Sequence, residues 1–413
     1  MIAEGSIDKL IAWLAEMGLN GAAEETLVHG FCERAADAGV PISRALMLID
    51  TLHPVYEGRL MRWGHDPSLP AVVEYGRTVL PEGAADTMSE AEREEAARRW
   101  RESPFFHMLE SGESLLRLTA ESAEKFPIMN DHIAAGMKSG IAIINRFAPQ
   151  GVIGDMDCVY STWMTTRAEG FDEAHIDALA RSVPTLALAV KAATLTRMTA
   201  TLMETYLGRD AARRVLSGRI MRGVADRIDA VIWFSDLRGF TRVTDTAPEQ
   251  VIPLLDDYAE VIVPAIHTQG GDVLKLIGDG ILAIFTAEDR ERACAAALDA
   301  ATAVRKEVIV LNARRGGEGL PVTDMYLGLH VGEVFYGNIG STERLDFTVV
   351  GPAVNEASRI AAMCRSVEQP VLVSEAFANV DGMRDRLVSV GRYALRGVAK
   401  PQELFTLEPT DAE

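Results

Sequence analysis

Two aspartates, Asp236 and Asp279, each sit at the end of a strongly apolar run. Residues 230–234 read as a buried strand, and Asp236 follows where that strand stops. Residues 273–277 and 281–285 read as two strands joined by Gly278-Asp279-Gly280, a tight hairpin with turn chemistry. Carboxylates at adjacent strand ends suit a hard divalent cation, since Mg²⁺ takes oxygen ligands and is held by one or two carboxylates. Taken singly, Asp236 could equally cap a helix and Asp279 serve a turn. Further along, Asn355 and Arg359 lie four apart on a helix predicted over 355–364, so both project to one face. Singly they would be read as a helix cap and a surface pair.

The elements around these residues alternate. Thr246-Ala247-Pro248-Glu249 opens a helix that continues through 251–266 and ends at Gly270-Gly271. Residues 290–310 are Ala-rich and helical, and a charged, Gly-rich loop follows over 312–319. Residues 325–331, 334–339 and 347–350 read as strands. In the first half, helices are predicted over 6–17, with Ser6 to cap and Gly18 to stop, and over 23–37. Strands follow over 45–52, 55–63, 115–119, 139–147 and 159–166, with a dense charged run at 82–101 between them. A helix over 171–193 closes this half, and another is predicted over 194–217, broken by Gly218 and Gly223. Leu195, Met198 and Leu202 form a short apolar seam of about two heptads, fewer than a coiled coil normally shows. The seam can pair two chains or pack against the upstream module. The fold class is α+β, with domains expected over 1–189, 190–222 and 223–413.

The 413 residues suffice for two or three domains, each with its own core, and 48% hydrophobic with 24% charged is an ordinary globular balance. A formal net charge of −19 argues against a nucleic-acid partner, which needs basic surface. Cys32, Cys158, Cys294 and Cys364 are scattered without metal-site spacing and read as reduced thiols. The start is acidic and amphipathic rather than a basic then apolar leader. The most apolar stretch, 183–194, is too short to span a membrane and contains Lys191. The expectation is a cytoplasmic protein with no membrane span.

The segments Phe234-Ser235-Asp236-Leu237-Arg238-Gly239-Phe240-Thr241, Lys275-Leu276-Ile277-Gly278-Asp279-Gly280 and Gly351-Pro352-Ala353-Val354-Asn355-Glu356-Ala357-Ser358-Arg359 occur in order at compatible spacing. Together they resemble the catalytic domain of the class III nucleotide cyclases, over about 222–407. The resemblance implies a ferredoxin-like core with an appended dimerisation arm. It implies adenylate cyclase chemistry: the ribose 3′-hydroxyl of ATP attacks the α-phosphate and expels pyrophosphate. Two Mg²⁺ or Mn²⁺ ions would be held by Asp236, Asp279 and the carbonyl of Leu237. Asn355 would position the ribose, and Arg359 would stabilise the charge of the transition state. Lys275 stands where adenylate cyclases carry lysine and guanylate cyclases glutamate. Thr348 matches the second base-contact position, where a bacterial subclass carries threonine. Arg344 and Arg396 resemble the triphosphate clamps, although the family often has lysine at the latter. Pro352 departs from the usual aspartate or asparagine after glycine.

The resemblance further implies a head-to-tail homodimer, in which one chain supplies the metal aspartates and its partner Asn355, Arg359, Lys275 and Thr348. The first half is similar in pattern to GAF or PAS sensor modules, and the segment Gly170-Phe171-Asp172-Glu173 is GAF-like. An unidentified small molecule or protein would act there, with parallel signalling helices passing the signal on. Trp63, His65, Trp100, Phe105, Phe106, His107 and Trp163 could line its pocket or be plain packing. Alternatives are a guanylate cyclase and a catalytically silent nucleotide-binding partner.

Overall fold

The computed structural model describes residues 2–77, 88–154, 156–396 and 400–408. The chain divides into two compact units, Met1–Leu202 and Met203–Glu413. Two parts of the sequence reading, residues 82–87 of the charged run and Gly397 beside Arg396, lie outside the described residues.

In the first unit six described strands form an antiparallel sheet: β1 Arg44–Asp50, β2 Tyr56–Trp63, β3 Val72–Gly76, β4 Leu115–Leu118, β5 Ser139–Arg146 and β6 Cys158–Thr165. Their order is β3-β2-β1-β6-β5-β4. The helices are α1 Ser6–Leu19, α2 Glu24–Asp37, α3 Glu90–Arg101, α4 Pro104–Ser111, α5 Met129–Ala134 and α6 Glu173–Leu207. Period-2 alternation gives the sheet two apolar faces. Met47 and Trp163 meet Leu14, Phe31, Leu179 and Leu186 of α1, α2 and α6 on one face. Tyr160 and Met164 meet Phe105, Met108 and Met129 of α4 and α5 on the other. The aromatic set read as a possible pocket lining is therefore split. Trp163 meets Phe31 at a tilt, ring centres 4.9 Å apart, while Trp100 and Phe105 flank Tyr160 on the opposite face.

Three helix boundaries differ from the sequence reading. Ser6 is the first helical residue rather than the cap, its hydroxyl donating to the Ala3 carbonyl, and α1 runs through Gly18. The helices expected over 171–193 and 194–217 are one helix as far as Leu207. The break falls at Gly208, at φ +83, where a Cβ would stand 2.3 Å from the Val273 carbonyl oxygen. The Leu195–Met198 seam also packs into the first unit's own core, Met198 buried and Leu195 against it. By length and composition α6 could cross a membrane, yet half of its most apolar window is buried within the protein. Glu24, 5% exposed, anchors α6 by accepting from Arg197 and Thr194 at 3.1 Å each and from Arg59 at 2.7 Å.

The second unit contains α7 Arg209–Leu216, β7 Ala225–Leu237, α8 Phe240–Thr246, α9 Val251–Thr268, β8 Gly271–Ile277, β9 Gly280–Phe285 and α10 Arg290–Gly317. It continues with β10 Met325–Gly340, β11 Leu345–Val350, α11 Pro352–Val367, β12 Val371–Ser374, α12 Glu375–Ala378, β13 Leu387–Tyr393 and β14 Gln402–Leu407. The sheet runs β13-β14-β12-β10-β7-β9-β8, with β11 also paired to β10. It is mixed, because β10 and β12 are parallel and the other pairs antiparallel. The succession β7-α9-β8-β9-α10-β10 places β7 between β9 and β10, a split β-α-β arrangement. Helices α9 and α10 cover one face through Leu254, Tyr258, Ala297 and Val304. Ala211 of α7 and Ala353 and Ala357 of α11 pack on the other.

Here too the structure revises the expected elements. β7 extends to Leu237, so Asp236 lies inside the strand. The strands expected over 325–331 and 334–339 are one, since β7 pairs along β10 from Met325 to Gly337. The loop expected over 312–319 is helical as far as Gly317. Tyr258 donates to Asn312, and buried Arg315 pairs with Asp257 and donates to the Pro321 carbonyl at 2.8 Å. Those partners tie the end of α10 to the rest of the unit, with Arg315 buried and residues 313, 314 and 316–319 exposed. All four cysteines are free and buried.

Candidate active site

Asp236 occupies the penultimate position of β7, and Asp279 the turn between β8 and β9. Because Ser235 pairs with Ile281, the end of β7 lies beside that turn. The approach needs glycine: a Cβ on residue 280 would stand 2.7 Å from the Ser235 carbonyl oxygen. Gly278 takes φ +62, a left-handed conformation that glycine adopts without strain. The backbone N–H of Leu237 donates to Asp279 Oδ2 at 3.3 Å, tying the two acid-bearing elements together.

The electrostatics of the pair are unfavourable as they stand. Asp236 Oδ1 is buried without a hydrogen-bond partner. Burial, and then the charge of Asp279, push its carboxyl up to about 6. A buried orphan oxygen beside a second carboxylate fits a divalent cation, which would satisfy the one and offset the repulsion. Among the described residues no group of three or more His, Cys, Asp or Glu could hold a metal. The protein donors here are thus the two carboxylates with main-chain oxygens such as that of Leu237, leaving coordination for water or substrate phosphate.

An open cleft of about 930 Å³ adjoins Asp236, lined among others by Arg238, Asp324, Tyr326, Arg365 and Glu368. None of these five was singled out from the sequence. Tyr326 pairs directly with Asp236 across β7 and β10, and the Arg238 guanidinium lies 5.9 Å from the centre of its ring. The signal available was proximity: Arg238 stands two residues after Asp236.

The remaining sequence-derived residues fall elsewhere. Pro352 is the first residue of α11, a position that suits proline's fixed φ and missing N–H. This helix presses on β10 at Gly328, where a Cβ would meet the Ala357 carbonyl oxygen at 2.4 Å. Its Ala361, Ala362 and Arg365 face the Asp236 cleft, whereas Asn355 and Arg359 are not among the lining residues. Arg359 lies about 9 Å along the axis from Arg365. Asn355 is exposed and Arg359 half-buried, and neither side chain is hydrogen-bonded or ion-paired to the described residues. Lys275 on β8 is ion-paired with Asp346 on β11, two residues before buried Thr348. Arg344 and Arg396 are exposed. The structure thus brings together Asp236, Leu237 and Asp279 at one place and Lys275 and the β11 strand at another.

Residues 224–409 match the family model of the adenylate and guanylate cyclase catalytic domain. That segment is a class III nucleotidyl cyclase catalytic domain, and the match does not extend to the residues before it. Within the chain, 159 residues are 35% identical to an adenylate cyclase of Anabaena cylindrica, covering 37% of this chain and 31% of that protein. Adenylate cyclase 1 of Rhizobium meliloti is 29% identical over 178 residues, 41% of this chain and 26% of the relative. The chain therefore spans less than a third of the length of these relatives. The solved adenylyl cyclase CyaB from P. aeruginosa is 24% identical, covering 46% of this chain and 98% of its own, with a TM-score of 0.42. The guanylyl cyclase Cya2 is 28% identical, covering 46% and 97%, with a TM-score of 0.40.

Proposed function

We propose that the second unit is an adenylate cyclase converting ATP to 3′,5′-cyclic AMP and pyrophosphate. The observation that carries this reading is the buried, unpartnered Asp236 oxygen beside Asp279, within a segment matching the cyclase family model. Two Mg²⁺ or Mn²⁺ ions held by Asp236, Asp279 and the Leu237 carbonyl would lower the pKa of the ribose 3′-hydroxyl and offset charge on the phosphates. Lys275 donates to the adenine N1 acceptor and would face the N–H of guanine unfavourably, while the Thr348 hydroxyl can donate or accept. Asn355 orients the ribose. Arg359 stabilises negative charge as the bond from the α-phosphorus to the leaving pyrophosphate oxygen breaks. Arg344 and Arg396 hold the triphosphate.

Asn355 and Arg359 stay out of their own chain's Asp236 cleft, so a second copy supplies them in a head-to-tail homodimer with two equivalent sites. Residues 1–189 act as a GAF-like regulatory module responding to a small molecule or protein, and 190–222 relay its state to the catalytic domain at 223–413. Parallel pairing of the relay helices falls beyond Met198, where Tyr206 is 78% exposed. The protein works in the cytoplasm.

Purified full chain incubated with Mn²⁺ or Mg²⁺ and either ATP or GTP tests this. Cyclic AMP should form faster than cyclic GMP. A preference for GTP would make it a guanylate cyclase, and no product from either would make it a silent partner.

A further inference from the structure

We propose that the first unit holds an anion-binding site built by Arg44, His65 and His132, which takes the carboxylate or phosphate group of a small molecule. This rests on the reading of that unit as a regulatory module and gives its ligand a chemical class. Three separate elements supply the cluster: Arg44 opens β1, His65 follows the end of β2 and His132 lies on α5. β2 ends with Trp63 paired to Ala45, so the chain leaves it beside the start of β1. Gly64 turns it there at φ +70, where a Cβ would stand 2.1 Å from the Ser43 carbonyl oxygen. Only glycine fits that turn, which keeps His65 next to Arg44. From the other side, Met129 of α5 packs with Met164 in the core of the second sheet face, and Met164 is the β6 partner of Arg44. Paired residues point to the same side of a sheet. His132 stands three residues after Met129, on the same helix face. Arg44 and His132 therefore converge from sheet and helix.

Unmet hydrogen bonding marks the cluster. Arg44 Nε, His65 Nε2 and His132 Nδ1 are each buried without a partner. So is Thr162 Oγ1 on β6, which is opposite Leu46 and so on the same side of the sheet as Arg44. Buried polar atoms are nearly always paired, and four orphans around one end of β1 ask for a common partner. Charge decides its sign. Burial, then the charges of Arg44, Arg62 and His132, push His65 down to about 4, and burial and Arg44 push His132 down as well. Arg62 donates to the Pro70 carbonyl at 3.3 Å. Asp131 acts on His132 in the opposite direction, but it is exposed and lies 3.9 Å from Arg99. No ion pair joins Arg44, His65 or His132 to the described residues. Such a cluster repels a metal cation and attracts an anion. A guanidinium offers Nε and an Nη as a fork matched to two oxygens of a carboxylate or phosphate. Each neutral imidazole can add one N–H and the threonine one O–H. Met129 and Met164 alongside suit an apolar body behind the anionic group.

Calorimetric titration of the nucleotide-free full chain in chloride-free buffer tests this, with sodium phosphate, sodium benzoate and the uncharged benzyl alcohol as probes. Phosphate or benzoate should bind the wild type, and benzyl alcohol at least about tenfold more weakly. Tighter binding of phosphate assigns the site to a phosphate group, and tighter binding of benzoate to a carboxylate. Arg44→Met, which keeps the reach of the side chain and drops its charge, should weaken the preferred anion at least about tenfold. Thr162→Val should weaken it about threefold. Without anion both variants should melt no lower than the wild type, because each removes an orphaned buried group; with anion they should melt lower. Failure of both anions to bind the wild type, or equal binding by Arg44→Met, overturns the proposal. So does a melting temperature that Arg44→Met and Thr162→Val both lower as much without anion as with it. Cyclic AMP formation with and without the anion, compared between wild type and Arg44→Met, is read separately. A bound anion that leaves the rate unchanged refutes the regulatory reading while the site stands.

Discussion

Replacing Asp236 by asparagine is expected to stabilise the metal-free protein while ending catalysis. Burial and the Asp279 charge lift the Asp236 carboxyl from its ordinary 3.8 to about 6. A shift of about two units corresponds to about 3 kcal/mol, because each unit is about 1.4 kcal/mol. The folded state binds this proton more tightly than the unfolded state does. The penalty is therefore absent below the unfolded pKa, grows as pH rises between the two values, and is complete above the folded one. Asparagine cannot ionise, which removes the penalty. It also buries an amide without a partner, at about 1 kcal/mol. The net gain at pH 7.5 is about 2 kcal/mol, or roughly 4–8 °C for a unit of this size. Scanning calorimetry of both proteins in EDTA at pH 7.5 and pH 4 measures it, with the difference expected to vanish or reverse at the lower pH. Mn²⁺ should raise the melting temperature of the wild type and not of the variant. A variant less stable than wild type at pH 7.5, or a difference independent of pH, would refute the reasoning.

Three further outcomes follow from particular contacts. Burial raises the Glu24 carboxyl, but the charges of Arg197 and Arg59 outweigh it and hold it below its usual range. That stability is present above the ordinary carboxylate pKa and is lost as pH falls through the folded value. Glu24→Ala should cost the first unit about 3 kcal/mol, by leaving Arg197 without its carboxylate and Arg59 with Glu74 alone at 3.6 Å, as read by urea unfolding. Gly208→Ala forces both a left-handed backbone and a clash with Val273, whereas Gly218→Ala meets only the backbone term, with nothing within 4 Å of its Cβ. Unfolding of the second unit should show a loss of about 2 kcal/mol or more for the former and about 1 kcal/mol for the latter. Lys275→Glu should lower kcat/KM for ATP by at least about tenfold, and unchanged ATP turnover would count against its role as selector.

The hairpin carrying Asp279 was legible because alternation, two flanking glycines and an apolar run agree at one place. The helix bearing Asn355 and Arg359 was legible in type but not in extent: it was expected over 355–364 and runs Pro352–Val367. What escaped the sequence depended on partners distant along the chain. Residues 312–317 look like a polar loop until Asp257, Tyr258 and Pro321 are seen to receive their side chains. Gly208 carries no more local signal than Gly218, and only the Val273 carbonyl beside it shows why that position takes no side chain. Leu195 and Met198 show the same apolar spacing whether they pair two chains or fill their own core, and in this protein they pack into the core. The cleft residues Asp324, Tyr326 and Arg365 reach Asp236 only through strand pairing and the packing of α11 on β10, neither of which leaves a pattern in sequence.

The central claim is a cyclase site whose cation-binding carboxylates and whose Asn355–Arg359 helix come from different copies of the chain. Mixing Asp279→Ala with Arg359→Ala protein, each inactive alone, tests it most directly. Random pairing should restore about a quarter of wild-type cyclic AMP formation, since half the dimers would then carry one intact site of two. No recovery after confirmed subunit exchange would contradict it.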